Sequence, residues 1–391
     1  MSSLPELTRT IRPTWAEIDL RAFDANIDAI VARLDVGLRG DAKLIALLKA
    51  DAYGHGAVEL ARRCESRNVA MIGTALLEEA LELRRAGIAI PILVLGPLNE
   101  AQVRIALDHD ITLGVPGPEE LEIVAKVAQE RDVAIHLKID SGMGRMGSVE
   151  TELPRVAELL RSARRLRVDA IYTHFANASD SADPFTDEQL ARFNTLVETL
   201  REAGIDAPMH HVANSAATLR GITPGDFVRT GIALFGGEPL DREHVRLAPL
   251  LRWRTEIARL KELPPGHAIG YGTTFHTKRA SRIATLPVGY ADGYDRGLSN
   301  IGEVLVRGQR APVVGRVSMD LVTIDVTDIA GAQLGDEVVL LGRQGNDEIT
   351  AEELAAKLDT ISYEVFCGIG ARVPRIYLDG GIARIRTRFD A

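Results

Sequence analysis

Leu44-Ile45-Ala46-Leu47-Leu48-Lys49-Ala50-Asp51-Ala52-Tyr53-Gly54-His55-Gly56 is the stretch from which the fold can be read. Its first five residues are an unbroken apolar run bounded by a turn, the pattern of a strand buried on both faces. Lys49 stands where that strand ends, a loop with two glycines follows, and residues 57–61 begin a helix-like segment. The carboxyl end of a buried strand is where α/β enzymes place reacting groups. Burial lowers an ammonium pKa and so prepares a lysine for Schiff-base chemistry. A strand-end lysine taken by itself is ordinarily one that snorkels into solvent, so the surrounding chain has to decide.

Outward from that stretch, apolar runs alternate with helix-patterned segments. Strands are expected at 44–49, 69–74, 90–95, 111–113, 133–139, 167–173, 209–213 and 225–229. Between them, 75–85, 118–130 and 185–203 have helical periodicity, the last with an expected Thr186…Gln189 capping box and apolar Leu190, Phe193, Leu196, Val197 and Leu200. Eight such alternations predict an α/β fold, a TIM-like (β/α)8 barrel. A doubly wound open sheet would satisfy the same count.

The pattern changes near Gly236-Gly237-Glu238-Pro239. Strand-like runs then follow without regular helices, at 252–260, 283–288, 304–306, 317–326 and 338–341, with one capped helix at 350–358 opened by Thr350…Glu353. The expected architecture is an amino-terminal barrel over 21–240 and a mostly-β carboxyl-terminal domain over 241–391. The alternating strand within 1–20 is expected to join that β domain. No internal repeat or low-complexity segment is visible.

Composition narrows the function classes. A chain of 391 residues exceeds a single core. Its net charge of -9 and lack of a basic run argue against nucleic-acid binding. Cys64 and Cys367 are far apart, without zinc-type spacing, so no metal site and no disulfide is expected. The segment Met1-Ser2-Ser3-Leu4-Pro5-Glu6 lacks a signal-peptide pattern and no run is long enough to span a bilayer, so a cytoplasmic protein without a membrane partner is expected.

Barrel enzymes bind phosphate groups at the loops after strands seven and eight. Here those loops are Asn214-Ser215-Ala216-Ala217 and Arg229-Thr230-Gly231-Ile232-Ala233. Each supplies a helix start, and the first adds a hydroxyl, which together make a phosphate cradle. A phosphate site opposite a strand-end lysine suggests pyridoxal phosphate, whose aldehyde reacts with lysine.

At this point the chain resembles a known family. Lys49-Ala50-Asp51-Ala52-Tyr53-Gly54-His55-Gly56 is similar to the cofactor-lysine signature of the fold-type III alanine racemases. The similarity continues in family order through Arg12-Pro13-Thr14-Trp15-Ala16-Glu17-Ile18-Asp19-Leu20, Leu137-Lys138-Ile139-Asp140-Ser141-Gly142-Met143-Gly144-Arg145-Met146-Gly147 and Thr173-His174-Phe175-Ala176. It then passes through Ala213-Asn214-Ser215, Val228-Arg229-Thr230-Gly231-Ile232, Gly270-Tyr271-Gly272-Thr273, Val288-Gly289-Tyr290-Ala291-Asp292-Gly293, Gly315-Arg316-Val317-Ser318-Met319-Asp320 and Ile361-Ser362-Tyr363-Glu364-Val365.

The resemblance implies a pyridoxal 5'-phosphate enzyme that interconverts L- and D-alanine for peptidoglycan precursors. It implies a homodimer with shared active sites. Lys49 would carry the cofactor and act as the base on one face of the substrate Cα, with Tyr271 of the partner subunit on the other. Racemisation needs a group on each side, because the proton leaves one face and returns to the other. Arg229 would face the pyridine nitrogen and, holding its own proton, leave the ring a weaker electron sink. His174 would support Arg229. Tyr53, Asn214, Ser215, Gly231, Ile232 and Tyr363 would hold the phosphate end. Arg145, with Met319 and Asp320 of the partner subunit, would bind substrate, and Tyr290, Arg296, Arg316, Ile361 and Tyr363 would line its entrance.

Lys138 also stands out by parity. In Ala134-Ile135-His136-Leu137-Lys138-Ile139-Asp140 it shares one face with His136 and Asp140. That face would line the barrel interior, where an unpartnered charge is costly. The family's solution is a carbamylated lysine that positions Arg145. Ser318 occupies a position that is often cysteine in the family. Two other functions fit the scaffold: a decarboxylase, which would need a carboxylate in place of Arg229, and a barrel-only cofactor carrier, which would lack Tyr271, Met319 and Asp320. A racemase of broader amino-acid range is the nearest variant.

Overall fold

The computed structural model describes residues 12–35, 43–67, 69–237 and 247–387. They form two compact units. Described residues up to Phe23, together with Tyr53–His55 and those from Ala248 onward, make one unit; those of Asp24–Ala52 and Gly56–Leu247 make the other. Glu238 and Pro239, part of the boundary expected from sequence, and Met1–Glu6 lie outside the described residues.

The first strand, β1 (Thr14–Asp19), belongs to the strand-rich unit and the next eight to the barrel: β2 (Lys43–Leu47), β3 (Met71–Thr74), β4 (Ile92–Val94), β5 (Ile111–Val115), β6 (Val133–Lys138), β7 (Leu166–Tyr172), β8 (Met209–His211) and β9 (Phe227–Thr230). β2 to β8 pair in sequence order, all parallel, and β9 pairs with β2. The ring closes between β8 and β9, where Asp226 N donates to His210 O at 2.8 Å and Arg229 N to Ala213 O at 2.9 Å. The open-sheet alternative is thereby excluded. Helices between the strands bury one apolar face each, as in Leu153–Ser162, where Leu153, Val156, Ala157 and Leu160 turn inward.

The start of the longest helix, Phe185–Glu202, differs from expectation. Thr186 and Gln189 are both buried, and the Gln189 side chain accepts from Ala176 N at 2.8 Å instead of turning back to cap its own helix. Asp183 takes the capping work, accepting from Phe185 N at 2.9 Å. A glutamine that is needed to tie down the β7 loop cannot also close a capping box.

In the strand-rich unit, β1 lies between β10 (Leu251–Glu256), antiparallel, and β20 (Arg375–Leu378), parallel. The intervening strands are β11 (Arg259–Leu263), β12 (Ala268–Ile269), β13 (Phe275–His276), β14 (Ser281–Leu286), β15 (Glu303–Val306), β16 (Gln309–Pro312), β17 (Val322–Asp325), β18 (Glu337–Gln344) and β19 (Asp347–Ile349), with β21 (Ile382–Arg386) at the end. The run expected as one strand at 252–260 is two: β10 joins the large sheet and β11 a three-stranded sheet with β14 and β17. The run expected at 317–326 is also interrupted. Ser318 N donates to Leu321 O at 2.9 Å, closing a turn over Met319 and Asp320 before β17 begins. That turn is why the polar–apolar alternation there is imperfect. The helix Ala351–Leu358 is capped by Thr350, whose side chain accepts from Glu353 N, as its spacing predicts.

Candidate active site

Lys49 follows β2 at the carboxyl end of the barrel and is half-buried. The four residues after it, Ala50, Asp51, Ala52 and Tyr53, all have φ between 51° and 53°, so the chain makes one turn of left-handed helix without glycine. Each such residue costs about 1–2 kcal/mol. The turn is held from several sides: Ala52 N donates to Leu48 O at 2.8 Å, Gly56 N to Asp51 O at 2.8 Å, and Ala57 N to Asp51 Oδ1 at 2.8 Å. Ala50 N donates to Glu79 Oε1 at 2.6 Å, while Oε2 of the same carboxylate accepts from Ala75 N and Leu76 N. Strain persists only where its surroundings over-determine it, and it gathers at functional positions.

After β8, Asn214 caps the short helix Ser215–Leu219 by accepting from Ala217 N at 3.0 Å. Ser215 Oγ reaches the loop after β9 and accepts from Gly231 N at 3.0 Å, at the start of the short helix Ile232–Phe235. Asn214, Ser215, Gly231 and Ile232 are thus brought together, with the serine hydroxyl still able to donate outward.

Arg229 projects from β9 and is 2% exposed. Nη1 donates to His211 O at 2.6 Å and to His211 Nδ1 at 2.8 Å; Nη2 donates to Thr173 O at 2.6 Å, with His174 Nδ1 at 3.2 Å and Val212 O at 3.4 Å. None of these partners is a carboxylate. Among the described residues Nε makes no hydrogen bond, so one N–H of this otherwise saturated guanidinium remains for a ligand. The pyridine nitrogen of pyridoxal phosphate, an acceptor, matches that donor.

Sequence reading missed the layer behind Arg229. His211 Nε2 and His136 Nδ1 are 2.9 Å apart, and Tyr172 stacks on His211 with centroids 4.7 Å apart. Since His211 Nδ1 accepts from Arg229, its Nε2 carries the proton and donates to His136. Burial pushes His136 down to about 4, with Asp169 opposing it and Arg229 adding a smaller push, and burial with Arg229 pushes His211 well below its ordinary value, so both rings stay neutral. His136 lies on the same parity as Lys138, which was the available signal. His211 sits at the end of a three-residue strand too short to show a parity.

Lys138 ends β6, is 7% exposed, and sits 5.9 Å from the Tyr172 ring. Burial first, then Arg145 and Arg229, lowers its pKa to about 8 against the opposing pull of Asp140; Lys49 adds a smaller push. Burial, followed by Arg229, Lys138, Arg145 and Lys49, depresses His174. Arg145 itself is exposed on a loop that Asp140 builds by accepting from Gly142, Met143 and Gly144 N, each at 2.8 Å. The barrel mouth therefore has an excess of positive charge, which fits a cofactor phosphate, a phenolate oxygen and a substrate carboxylate. A lysine depressed to about 8 from near 10.5 binds fewer protons folded than unfolded between those values. The carbon-dioxide-free protein is thus expected to gain stability as pH rises from about 8 to about 10.4. Urea unfolding across that window, with Lys138→Met lacking this part of the slope, checks it.

In the strand-rich unit, Tyr53 and Tyr363 have ring centroids 5.9 Å apart. Burial raises Tyr363 to about 12, and burial together with Tyr363 raises Tyr53 further. Both remain neutral hydroxyl donors. Tyr271 is 74% exposed on a turn between Gly270 and Gly272, at φ 74° and 70°. A Cβ on Gly270 would lie 3.1 Å from Arg316 N, so the turn packs directly on the Arg316 backbone. Met319 (53%), Ile361 (60%) and Tyr290 (42%) are also exposed. Tyr290 and Arg296 line a cleft of about 700 Å³ with Trp253, Tyr294, Glu364 and Val365.

A strand-end lysine, a helix-start cradle and a buried arginine in a parallel barrel, together with a strand-rich unit built around β1, define the class. Residues 18–239 match the family model for the alanine racemase amino-terminal domain, and 250–377 that for the carboxyl-terminal domain. The alanine racemase of Halothermothrix orenii is 42% identical over 375 residues, covering 94% of this chain and 98% of that one. A Bacillus anthracis alanine racemase solved with bound L-Ala-P superposes with a TM-score of 0.91 at 37% identity, covering 97% and 99% of the two chains. One from Bartonella henselae, solved with covalently bound pyridoxal phosphate, gives 0.85 at 27% identity, covering 94% and 100%. The chain belongs to the alanine racemase family.

Proposed function

We propose that this protein is a pyridoxal 5'-phosphate-dependent alanine racemase that interconverts L- and D-alanine by two bases, supplying D-alanine for peptidoglycan precursors. The observation that carries the reading is Arg229: a buried permanent cation whose partners are carbonyls and imidazoles, with Nε–H left as donor. A decarboxylase on this scaffold would place a carboxylate there.

Bound pyridoxal phosphate would supply a carbon for attachment to Lys49 and a conjugated ring that takes up the electron pair when the substrate Cα–H bond breaks. Lys49 would move the substrate Cα proton on one face. Tyr271 of a partner subunit moves it on the other. Arg229, steadied by His174 and His211, would donate to the ring nitrogen without giving up its proton. Tyr53, Ser215, Gly231, Ile232 and Tyr363 would hold the phosphate, with Asn214 fixing the helix that carries Ser215. Carbon dioxide adding to the neutral amine of Lys138, with loss of one N–H proton to solvent, would yield a carbamate anion that positions Arg145 toward the substrate carboxylate, and Met319 and Asp320 of the partner subunit would complete the binding surface. Tyr290, Arg296, Arg316 and Ile361, with Tyr363, line the approach.

The homodimer is supported by the exposure of Tyr271, Met319 and Ile361, apolar groups that a partner would cover. No helix among the described residues is long and apolar enough to cross a membrane. Both cysteines are free, consistent with a reducing cytoplasm. A small pocket beneath Tyr363 and the partner subunit's Tyr271 would favour a short side chain, so alanine is expected to outrun serine, lysine and arginine. Racemisation of each L-amino acid by the cofactor-loaded protein, followed by chiral chromatography, tests this. A preference for a long basic side chain would overturn it.

A further inference from the structure

Two of the ordered sequence motifs contain charged residues to which the racemase reading gives no role, Arg12 ahead of β1 and Asp292 in the Gly289–Gly293 turn. The structure joins them. Asp292 is 0% exposed and accepts a bidentate pair from Arg12, Nη1 to Oδ2 and Nη2 to Oδ1, both at 2.7 Å. Oδ2 also accepts from Gly289 N at 3.0 Å. Arg372 approaches the same carboxylate, Nε lying 3.5 Å from Oδ1, and its Nη2 donates to Asp320 Oδ1 at 2.7 Å.

The backbone ties three of these four segments together, leaving out that of Arg12. Tyr290 N donates to Ser318 O and Ala291 N to Met319 O, both at 3.0 Å, and Gly370 N donates to Asp292 O at 2.9 Å. The approach is so close that a Cβ on Gly289 would lie 2.3 Å from Ser318 O, and one on Gly293 2.1 Å from Gly368 O. A buried carboxylate satisfied by a bidentate arginine is a rigid anchor. Arg372 spans from this anchor to Asp320, whose side chain is 55% exposed. Four charges then alternate, Arg12, Asp292, Arg372 and Asp320, and sum to zero.

We propose that Arg372, anchored by the Arg12–Asp292 pair, is a positioning residue that neutralises and orients Asp320 on the substrate-binding turn. This rests on the racemase reading above. Its chemical content is specific. A substrate amino acid brings a carboxylate, and an unpaired Asp320 would repel it. Arg372 removes that repulsion and fixes one rotamer of Asp320, while Asp292 keeps Arg372 from following the substrate carboxylate.

The test uses the cofactor-loaded enzyme with L-alanine. Arg372→Ala is expected to raise KM about two- to fivefold and leave kcat within about 1.5-fold, the range for breaking a partly exposed charge pair. Adding Asp320→Asn removes the uncompensated charge, so the double variant should return to the KM of Asp320→Asn alone. Loss of structure around the turn would not be rescued in this way. A KM unchanged by Arg372→Ala, or a double variant whose KM is the product of the two single effects, overturns the proposal while the racemase reading stands. A wild-type enzyme that does not racemise alanine removes both.

Discussion

Lys49→Ala abolishes racemisation in both directions and, with it, covalent retention of pyridoxal phosphate. Two losses coincide in this variant. The side chain that would attach the cofactor is gone, and so is the proton carrier on one face, which alone is worth about 10²–10⁴ in rate. The neighbouring architecture should survive, because the left-handed turn at 50–53 is held through main-chain groups and the carboxylates of Asp51 and Glu79, none of which needs the lysine side chain. Borohydride treatment followed by mass spectrometry checks this. The wild type should gain the mass of a reduced cofactor on the peptide containing Lys49, and Lys49→Ala should gain none there. Wild-type turnover by the alanine variant would remove Lys49 from its role.

Tyr271→Phe separates the two bases. Removing one hydroxyl from a side chain that is 74% exposed within its own chain should leave fold and cofactor spectrum unchanged. The conversion of L- to D-alanine should fall by about 10²–10⁴. The loss should be lopsided: exchange of the Cα proton with solvent continues from the enantiomer whose proton faces Lys49 and stops from the other. A variant that racemises at the wild-type rate would contradict the assignment. Loss of cofactor absorbance would recast Tyr271 as a cofactor-holding residue.

The barrel was readable because most of its strands contain a short apolar run between helix-patterned segments, and the helix at 350–358 because Thr350 and Glu353 have capping-box spacing. Other features left no local signal. Ala50, Asp51, Ala52 and Tyr53 contain no glycine, so nothing in their identities announces a left-handed turn; tertiary contacts from Glu79 and Leu48 impose it. The runs at 252–260 and 317–326 looked continuous because apolar periodicity does not register a strand that changes sheets or a turn that itself carries apolar residues.

Among the site residues, Lys138 was conspicuous as a charge on an inward parity, and burial has lowered its pKa. The link from Ser215 to Gly231 followed from their positions after the seventh and eighth strands. His211 and His136, which fix the face of Arg229, were not distinguishable from ordinary core histidines until the closed barrel brought their rings within hydrogen-bonding distance. Arg12 and Asp292 lie 280 positions apart, and only the folded chain brings them into one ion pair.

The central claim, that one proton carrier on each face inverts alanine, is tested most directly by following L-alanine with the cofactor-loaded enzyme in deuterium oxide. Proton NMR reports loss of the Cα–H signal, and a chiral derivative reports configuration. The expected result is that D-alanine forms carrying deuterium at Cα, and that Tyr271→Phe stops inversion while cofactor stays bound. Cofactor-loaded wild-type protein that washes deuterium into L-alanine without forming D-alanine, or does neither, would contradict the account.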